Sequence, residues 1–473
     1  MSQKNETKVL VLSLLITAAM LGGGAWWFLN RNSDKQGNTP TQPDTPATII
    51  PISPTTEIST RLSTGDKLLT GGATKAKQAA IFALATEDYT EAIAQLEASL
   101  QANRNDPEAL IYLNNARIGN DQAHHIAVVI PASFDVNGAK EILRGIAQAQ
   151  QEINSAGGIN SIPLKILIAD DNNDPELAKQ VAQSLAENSD ILGVVGHWAS
   201  DVTLAAAEVY EQEKLVVISP VSTSVQLSGF GNYIFRTVPS DRFAGSALAR
   251  YMLRDLDLKQ AAVFFNSQSN YSRSLKEVFT TDLFAEGGEV VEEFDLSEPN
   301  FNAAEAFQQA KARDAQVLVL VADVSNLDKA LQVVQVNDGD LEILAGDDVY
   351  SAKTLQIGGR DALGMVLAVP WHIKGNPEAT FPQAARDLWV GDVNWRTAMA
   401  YDAAKALIAA IEKQPTRQGV QAALKDRSFT ATGAEGAIRF LPSGDRNKPM
   451  QLVKVEEDTD NSTSFGYEFV PLE

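Results

Sequence analysis

The sequence predicts an α/β protein of two doubly wound parallel-sheet lobes, preceded by a transmembrane helix and a small α-helical module. Three observations lead there. From Ile126 onward, short β-branched runs alternate with amphipathic helical stretches. The strand candidates are continuously apolar, as in parallel sheets covered by helices on both faces. The alternating region runs to about 350 residues, more than one sheet domain usually holds, so two lobes are expected.

Composition narrows the function. Hydrophobic residues make up 44% and charged residues 21% of the 473-residue chain, as in a folded globular protein. The formal charge of −21, from 39 basic and 60 acidic residues, argues against nucleic acid as a partner. There is no cysteine, which excludes disulfides, thiolate metal sites, cysteine nucleophiles and a lipid-modified cysteine anchor.

Val9 to Leu29 carries no charge. As a helix it would span about 31 Å, the thickness of a bilayer's hydrocarbon core. Trp26, Trp27 and Phe28 close the run, where amphipathic rings favour a membrane interface. A cleaved signal peptide is the competing reading, but the bulky ending offers no small-residue cleavage site, so a retained anchor over residues 1–30 is favoured. Residues 31–60 read as an extended linker, with Pro40, Pro43, Pro46, Pro51 and Pro54 among polar residues. Residues 61–120 place Ala80, Leu84, Tyr89, Ala92, Ile93, Leu96 and Leu100 at helical spacing. Asn105-Asp106-Pro107 then opens another helix. This module resembles about one and a half tetratricopeptide repeats. Solenoids usually need about three repeats, so a docking or spacer module packed on the main domain is favoured over a peptide-binding groove.

Strands are expected at Ile126–Ile130, Leu164–Ile168, Ile191–Val195, Leu215–Ser219, Ala261–Phe265, Val317–Val321 and Met365–Val369. Helices are expected at Leu143–Ala156, Pro175–Glu187, Thr203–Glu213 and Ser272–Phe284. Ligands of such sheets bind beyond the carboxyl ends of the strands, so the segments just after each strand matter most. They read Gly196-His197-Trp198-Ala199-Ser200-Asp201-Val202-Thr203, Pro220-Val221-Ser222-Thr223-Ser224, Asn266-Ser267-Gln268-Ser269-Asn270-Tyr271 and Gly346-Asp347-Asp348-Val349-Tyr350. Hydroxyls and free N–H groups at a helix start can hold a carboxylate, and a facing acid can take an ammonium. A zwitterion suits this set.

These residues also carry a family resemblance. The pieces are Arg144-Gly145 with Glu152-Ile153-Asn154-Ser155-Ala156-Gly157-Gly158-Ile159, Asp170-Asp171 with Asp174-Pro175, and Gly196-His197 with Ser200 and Thr203. Then come Ile218-Ser219-Pro220 with Thr223, and Phe235-Arg236-Thr237 with Pro239 and Asp241. In this order the region from about His125 to the C-terminus resembles a type I periplasmic binding protein of the leucine/isoleucine/valine-binding branch that feeds ABC transporters. The whole chain resembles cyanobacterial members that place a membrane segment and a short helical module first. The resemblance implies the type I periplasmic-binding-protein fold, with lobe 1 at about 125–240 and 371–440 and lobe 2 at about 241–370 and 441–473. Three hinge crossings are implied, near Val238–Phe243, Ala368–Trp371 and Phe440–Arg446.

The resemblance also implies site residues. Ser200 and Thr223 would hold a ligand α-carboxylate. The Val221 carbonyl, Thr223 and an acid near Asp348 would hold the ammonium, with Asp347 the rival for that acid. Tyr271 would close over the ligand from the second lobe. Three departures stand out: a short loop Ser133–Lys140 without a tyrosine, Asp323 where relatives often carry an aromatic or small neutral residue, and Asp rather than Glu at 347–348. Extra acids suit a polar or cationic ligand side chain. Ser200 and Thr203 have a plain alternative as helix caps, Thr223 as a turn residue, Tyr271 as sheet-edge cover and Asp323 as a solvated loop acid.

No nucleophile elbow or phosphate-binding loop is present, and His124, His125, His197 and His372 make no metal-ligand spacing. The expectation is a non-enzymatic solute-binding protein with no cofactor and no metal. Its partners would be an amino acid or similar small polar solute, permease subunits and, through the N-terminal helix, the cytoplasmic membrane, with the body in the periplasm. A receptor with the same cleft coupled to a signalling partner is the alternative.

Overall fold

The computed structural model describes residues 58–376, 378–459 and 463–472. The expected membrane anchor and nearly all of the proline-rich linker lie outside them. Among the described residues no helix is long and apolar enough to cross a membrane.

The chain begins with a two-residue strand, β1 (Leu62–Ser63), and three helices, α1 (Lys75–Ala85), α2 (Tyr89–Ala102) and α3 (Pro107–Ile118). Each helix starts on a side-chain cap, Thr74, Asp88 and Asp106 respectively, that accepts a first-turn N–H. All but one residue of α3 are buried, because it is packed between α2 and the first lobe.

Two large sheets follow. The first is built from β2 (His124–Ile130), α4 (Val136–Ser155), β3 (Leu164–Asp170), α5 (Pro175–Glu187), β4 (Ile191–Val195), α6 (Ser200–Glu213), β5 (Val217–Ser219) and β6 (Ile234–Arg236). Its strand order is β1-β3-β2-β4-β5-β6, all parallel except β1, which lies antiparallel on β3 with Leu62 opposite Ala169. The helical segment is therefore not a bead on a linker. It contributes a strand to the sheet and a buried helix against α4.

The chain then enters the second lobe through α7 (Asp241–Arg250), β7 (Gln260–Phe265), α8 (Asn270–Ala285), β8 (Glu289–Asp295), α9 (Ala303–Ala312), β9 (Val317–Val321), α10 (Leu327–Asn337), β10 (Glu342–Ala345) and β11 (Val366–Val369). It returns to the first lobe as α11 (Thr380–Trp389), α12 (Trp395–Lys413), α13 (Arg417–Lys425) and the hairpin β12 (Ala431–Gly433)–β13 (Gly436–Ile438). A last passage adds β14 (Gln451–Glu457) and β15 (Tyr467–Pro471) to the second sheet. That sheet runs β15-β14-β11-β10-β9-β7-β8, with every pairing parallel except the two that β14 makes, to β11 and β15. The chain thus passes between the two sheets three times.

Two contacts hold this arrangement. On α4, a Cβ at Gly145 would meet Thr397 O at 2.3 Å and Tyr401 N at 2.5 Å, so only glycine lets α4 and α12 cross this closely. At the crossings, buried Arg236 donates through Nε to Asp445 (2.6 Å) and through a terminal nitrogen to the Ser224 carbonyl (2.8 Å). Arg236 thereby ties the first crossing to the third.

Candidate functional site

A cavity of about 280 Å³ lies between the carboxyl ends of the two sets of parallel strands. The first lobe lines it with Phe134, Trp198, Ser200, Val221 and Ser222 among others, and the second with Asn266, Tyr271, Asp323, Asp347 and Asp348 among others. Each of these positions follows a strand, where the ridges of two facing sheets leave room for a ligand.

The first-lobe wall is built for an anion. α6 begins at Ser200, and its cap, Ala199, has no side chain to accept the first-turn N–H groups. The helix therefore opens its positive end onto the cavity instead of being closed by a serine or threonine cap. The capping alternative for Ser200 and Thr203 does not hold. Ser200 Oγ accepts from Ser224 N at 3.4 Å, and Thr203 Oγ1 pairs with Ser222 Oγ at 2.6 Å. That pairing removes Thr203 from the cavity wall, where the sequence reading had placed it, and makes it a brace between α6 and the β5 loop. Thr223 sits just behind the wall, fully buried, with its side chain beside the Asp241 carboxylate.

The second-lobe wall is acidic. Tyr271 donates its hydroxyl to Asp347 Oδ1 at 2.7 Å. Asp348 accepts from Arg396 at 2.7 Å, although its side chain remains 16% exposed. Asp323 Oδ1 accepts from Asn266 (2.9 Å) and Asn326 (3.1 Å). Asp241, at the start of α7, is completely buried, with the Ser274 and Thr223 side chains beside its carboxylate. Burial pushes the Asp241 carboxyl up to about 6. Burial also raises Asp347, with the Asp241 charge adding to it, and raises Asp348 despite the Arg396 guanidinium beside it.

Sequence reasoning missed Arg396, Asp241 and Trp198. Arg396 stands at the start of α12, in the segment that returns to the first lobe, with its guanidinium 4.2 Å from the Trp395 ring centre and 5.0 Å from that of Trp198. It reaches across the cleft to Asp348. Further bonds cross beside it: Asn270 N to Asp201 Oδ2 (2.9 Å), Ser224 Oγ to Asn270 Oδ1 (2.8 Å) and Val225 N to Ser274 Oγ (3.0 Å). The two lobes are thus closed on one another. Asp241 ended one of the recognisable motifs, which was the available signal for it. Among the described residues no cluster of His, Asp and Glu is arranged to hold a metal ion.

Comparison with known proteins agrees with this architecture. Residues 125–460 match the model of the family described as periplasmic binding protein. An amino acid binding protein of Pseudomonas aeruginosa is 34% identical over 163 residues, which cover 34% of this chain and 43% of that protein. The chain therefore spans less than half the length of that relative. A Leu/Ile/Val-binding protein homolog of Brucella suis is 26% identical over 354 residues, 72% of this chain and 92% of its own length. The crystal structure of a leucine binding protein from Thermotoga maritima superposes with a TM-score of 0.64 at 22% identity, covering 73% of this chain and 97% of that one. With the family model matching well over half of its residues, and two sheets closing on an interlobe cavity, the chain belongs to the periplasmic binding protein family.

Proposed function

We propose that the protein is an extracytoplasmic solute-binding component of an ABC-type uptake system and that its ligand is an amino acid or a similar small zwitterion. The observation that carries this reading is the polarity of the cleft: an uncapped helix terminus with Ser200 on one wall, and buried carboxylates on the other. The ligand carboxylate meets the α6 N–H groups and Ser200, with Thr223 behind them. The ammonium meets the Val221 carbonyl and the Asp347–Asp348 pair, and Tyr271 holds that pair in place. The relatives' names, which refer to amino acids and to Leu, Ile and Val, support the ligand class. Closure joins contacts from both walls, so bound ligand selects the closed form that permease subunits would recognise. The apolar run Val9–Leu29 supports a retained membrane anchor with the body in the periplasm. The tetratricopeptide likeness of the helical segment rests on its sequence alone.

A thermal-shift panel of the common amino acids tests the reading. A true ligand at a hundred times its Kd adds about 2.7 kcal/mol to the native state and raises the melting temperature. A folded protein that no amino acid stabilises would end the proposal.

The buried acids add a pH signature. Asp347 faces Tyr271, Asp241, Asp348 and Arg396, while Asp348 faces Arg396, Asp347 and Asp323. Without ligand the raised carboxyls keep protons that the unfolded chain has already lost above its ordinary carboxylate range. Folded stability therefore falls as pH rises through the acid range toward neutrality. An arriving ammonium favours the ionised forms, so binding releases protons and strengthens from pH 5 to pH 8. Calorimetric titration in two buffers of different protonation heat measures the release; a heat independent of buffer would contradict the assignment.

A further inference from the structure

The charge balance of the cleft points beyond a neutral amino acid. Asp323, Asp347, Asp348 and Asp201 line the cavity, and Asp241 lies buried close enough for its charge to act on Asp347 and Tyr271. Two guanidinium groups stand nearby, and both are engaged. Arg396 pairs with Asp348, and Arg236 is held by Asp445 and backbone carbonyls. Asp201 already accepts the Asn270 N–H. A zwitterion leaves this excess unchanged, because its carboxylate brings as much negative charge as its ammonium offsets.

Two details show where a further positive group fits. Both hydrogen bonds to Asp323 fall on Oδ1, from Asn266 and Asn326, so the carboxylate is held in place while Oδ2 has no partner among the described residues. Independently, none of the residues lining the cavity is a lysine, arginine or histidine, so the wall offers Asp323 no cation of its own. Beside Asp323 on the wall, Asn266 and Gln268 offer amide groups, while Phe134, Trp198, Val221 and Val324 supply the apolar surface along which the stem of a long basic side chain can lie.

We propose that the cleft takes an amino acid with a second positive centre on its side chain, and that Asp323 receives that ammonium or guanidinium group. The inference rests on the amino-acid reading above and sharpens it to the basic class. An ionic hydrogen bond to a fixed carboxylate rewards such a side chain. An aliphatic one would cover Asp323 Oδ2 without satisfying it, which discriminates against neutral competitors.

Calorimetric titration of the full chain with the twenty common amino acids, repeated on Asp323→Asn, tests this. Lysine or arginine is expected to bind at least tenfold tighter than leucine. Asp323→Asn keeps the side chain's shape and is expected to erase that margin. Asp323→Leu serves as a second variant and should favour leucine. The proposal is overturned if leucine equals or surpasses the basic amino acids, or if both variants keep the basic preference. In those outcomes the amino-acid reading survives. If a folded wild-type chain binds none of the twenty, that reading falls with it.

Discussion

Replacing Asp348 with alanine is expected to weaken ligand binding by about 2–5 kcal/mol, at least roughly thirtyfold in Kd. Two losses coincide. The ligand ammonium loses a carboxylate in a water-poor cleft, and Arg396 is left between Trp198 and Trp395 without its acid. An unpaired guanidinium at 6% side-chain exposure also destabilises the closed form, because Arg396 comes from the first lobe and Asp348 from the second. Asp348→Asn should cost less, since the amide still accepts one Arg396 hydrogen bond. Titrations of both variants and of Asp347→Asn check the assignment. A loss confined to Asp347→Asn would move the ammonium site one residue earlier.

The largest effect on folding is expected at a residue far from the cleft. Lys77 on α1 is 1% exposed and contacts Asp106 at 2.8 Å and Glu108 at 2.9 Å. Neither acid can be dismissed as a passive partner. Asp106 caps α3 through Ala109 N, and Glu108 accepts from Leu69 N and the Thr70 hydroxyl. Lys77→Met would fill the space but leave two buried carboxylates without a cation. Removing one member of a buried ion pair costs about 3–5 kcal/mol. Denaturant unfolding should show the loss, and hydrogen exchange should show it first in α1–α3. An unchanged midpoint would mean that water reaches the acids.

Legibility in the sequence followed burial. β2, β4, β7 and β9 are apolar runs because helices cover both their faces, and their positions were readable to within two residues. β8, Glu289–Asp295, is a half-exposed edge strand rich in acids, so its composition hides it. The same holds for β14 and β15, which add antiparallel strands at the opposite edge. β1 and β6, of two and three residues, are too short to show a period. α12 is buried on nearly every side, which removes the polar stripe that marks a surface helix. The site was legible where it follows strands, because topology alone assigns those loops to the cleft. Thr203 was misplaced because spacing along α6 could not reveal that Ser222 takes its hydroxyl. Arg396 could not be found at all, since it arrives from a segment that crosses back only after the whole second sheet is built.

The pairing of β1 with β3 fixes the N-terminal segment to one lobe and not the other. Asp170 N donates to the Arg61 carbonyl at 3.0 Å, and the Arg61 guanidinium reaches the Asp170 carboxylate at 3.2 Å. α3 adds Asn115, which bonds both backbone groups of Ile166 on the same strand. Any load on the chain ahead of residue 58 is thus delivered to the first sheet, while the second is joined to it only through three crossings and the cleft itself. With the anchor proposed above, the first lobe would be the stator and the second the rotor. A partner that responds to closure would then read the second lobe's swing against the tethered first lobe.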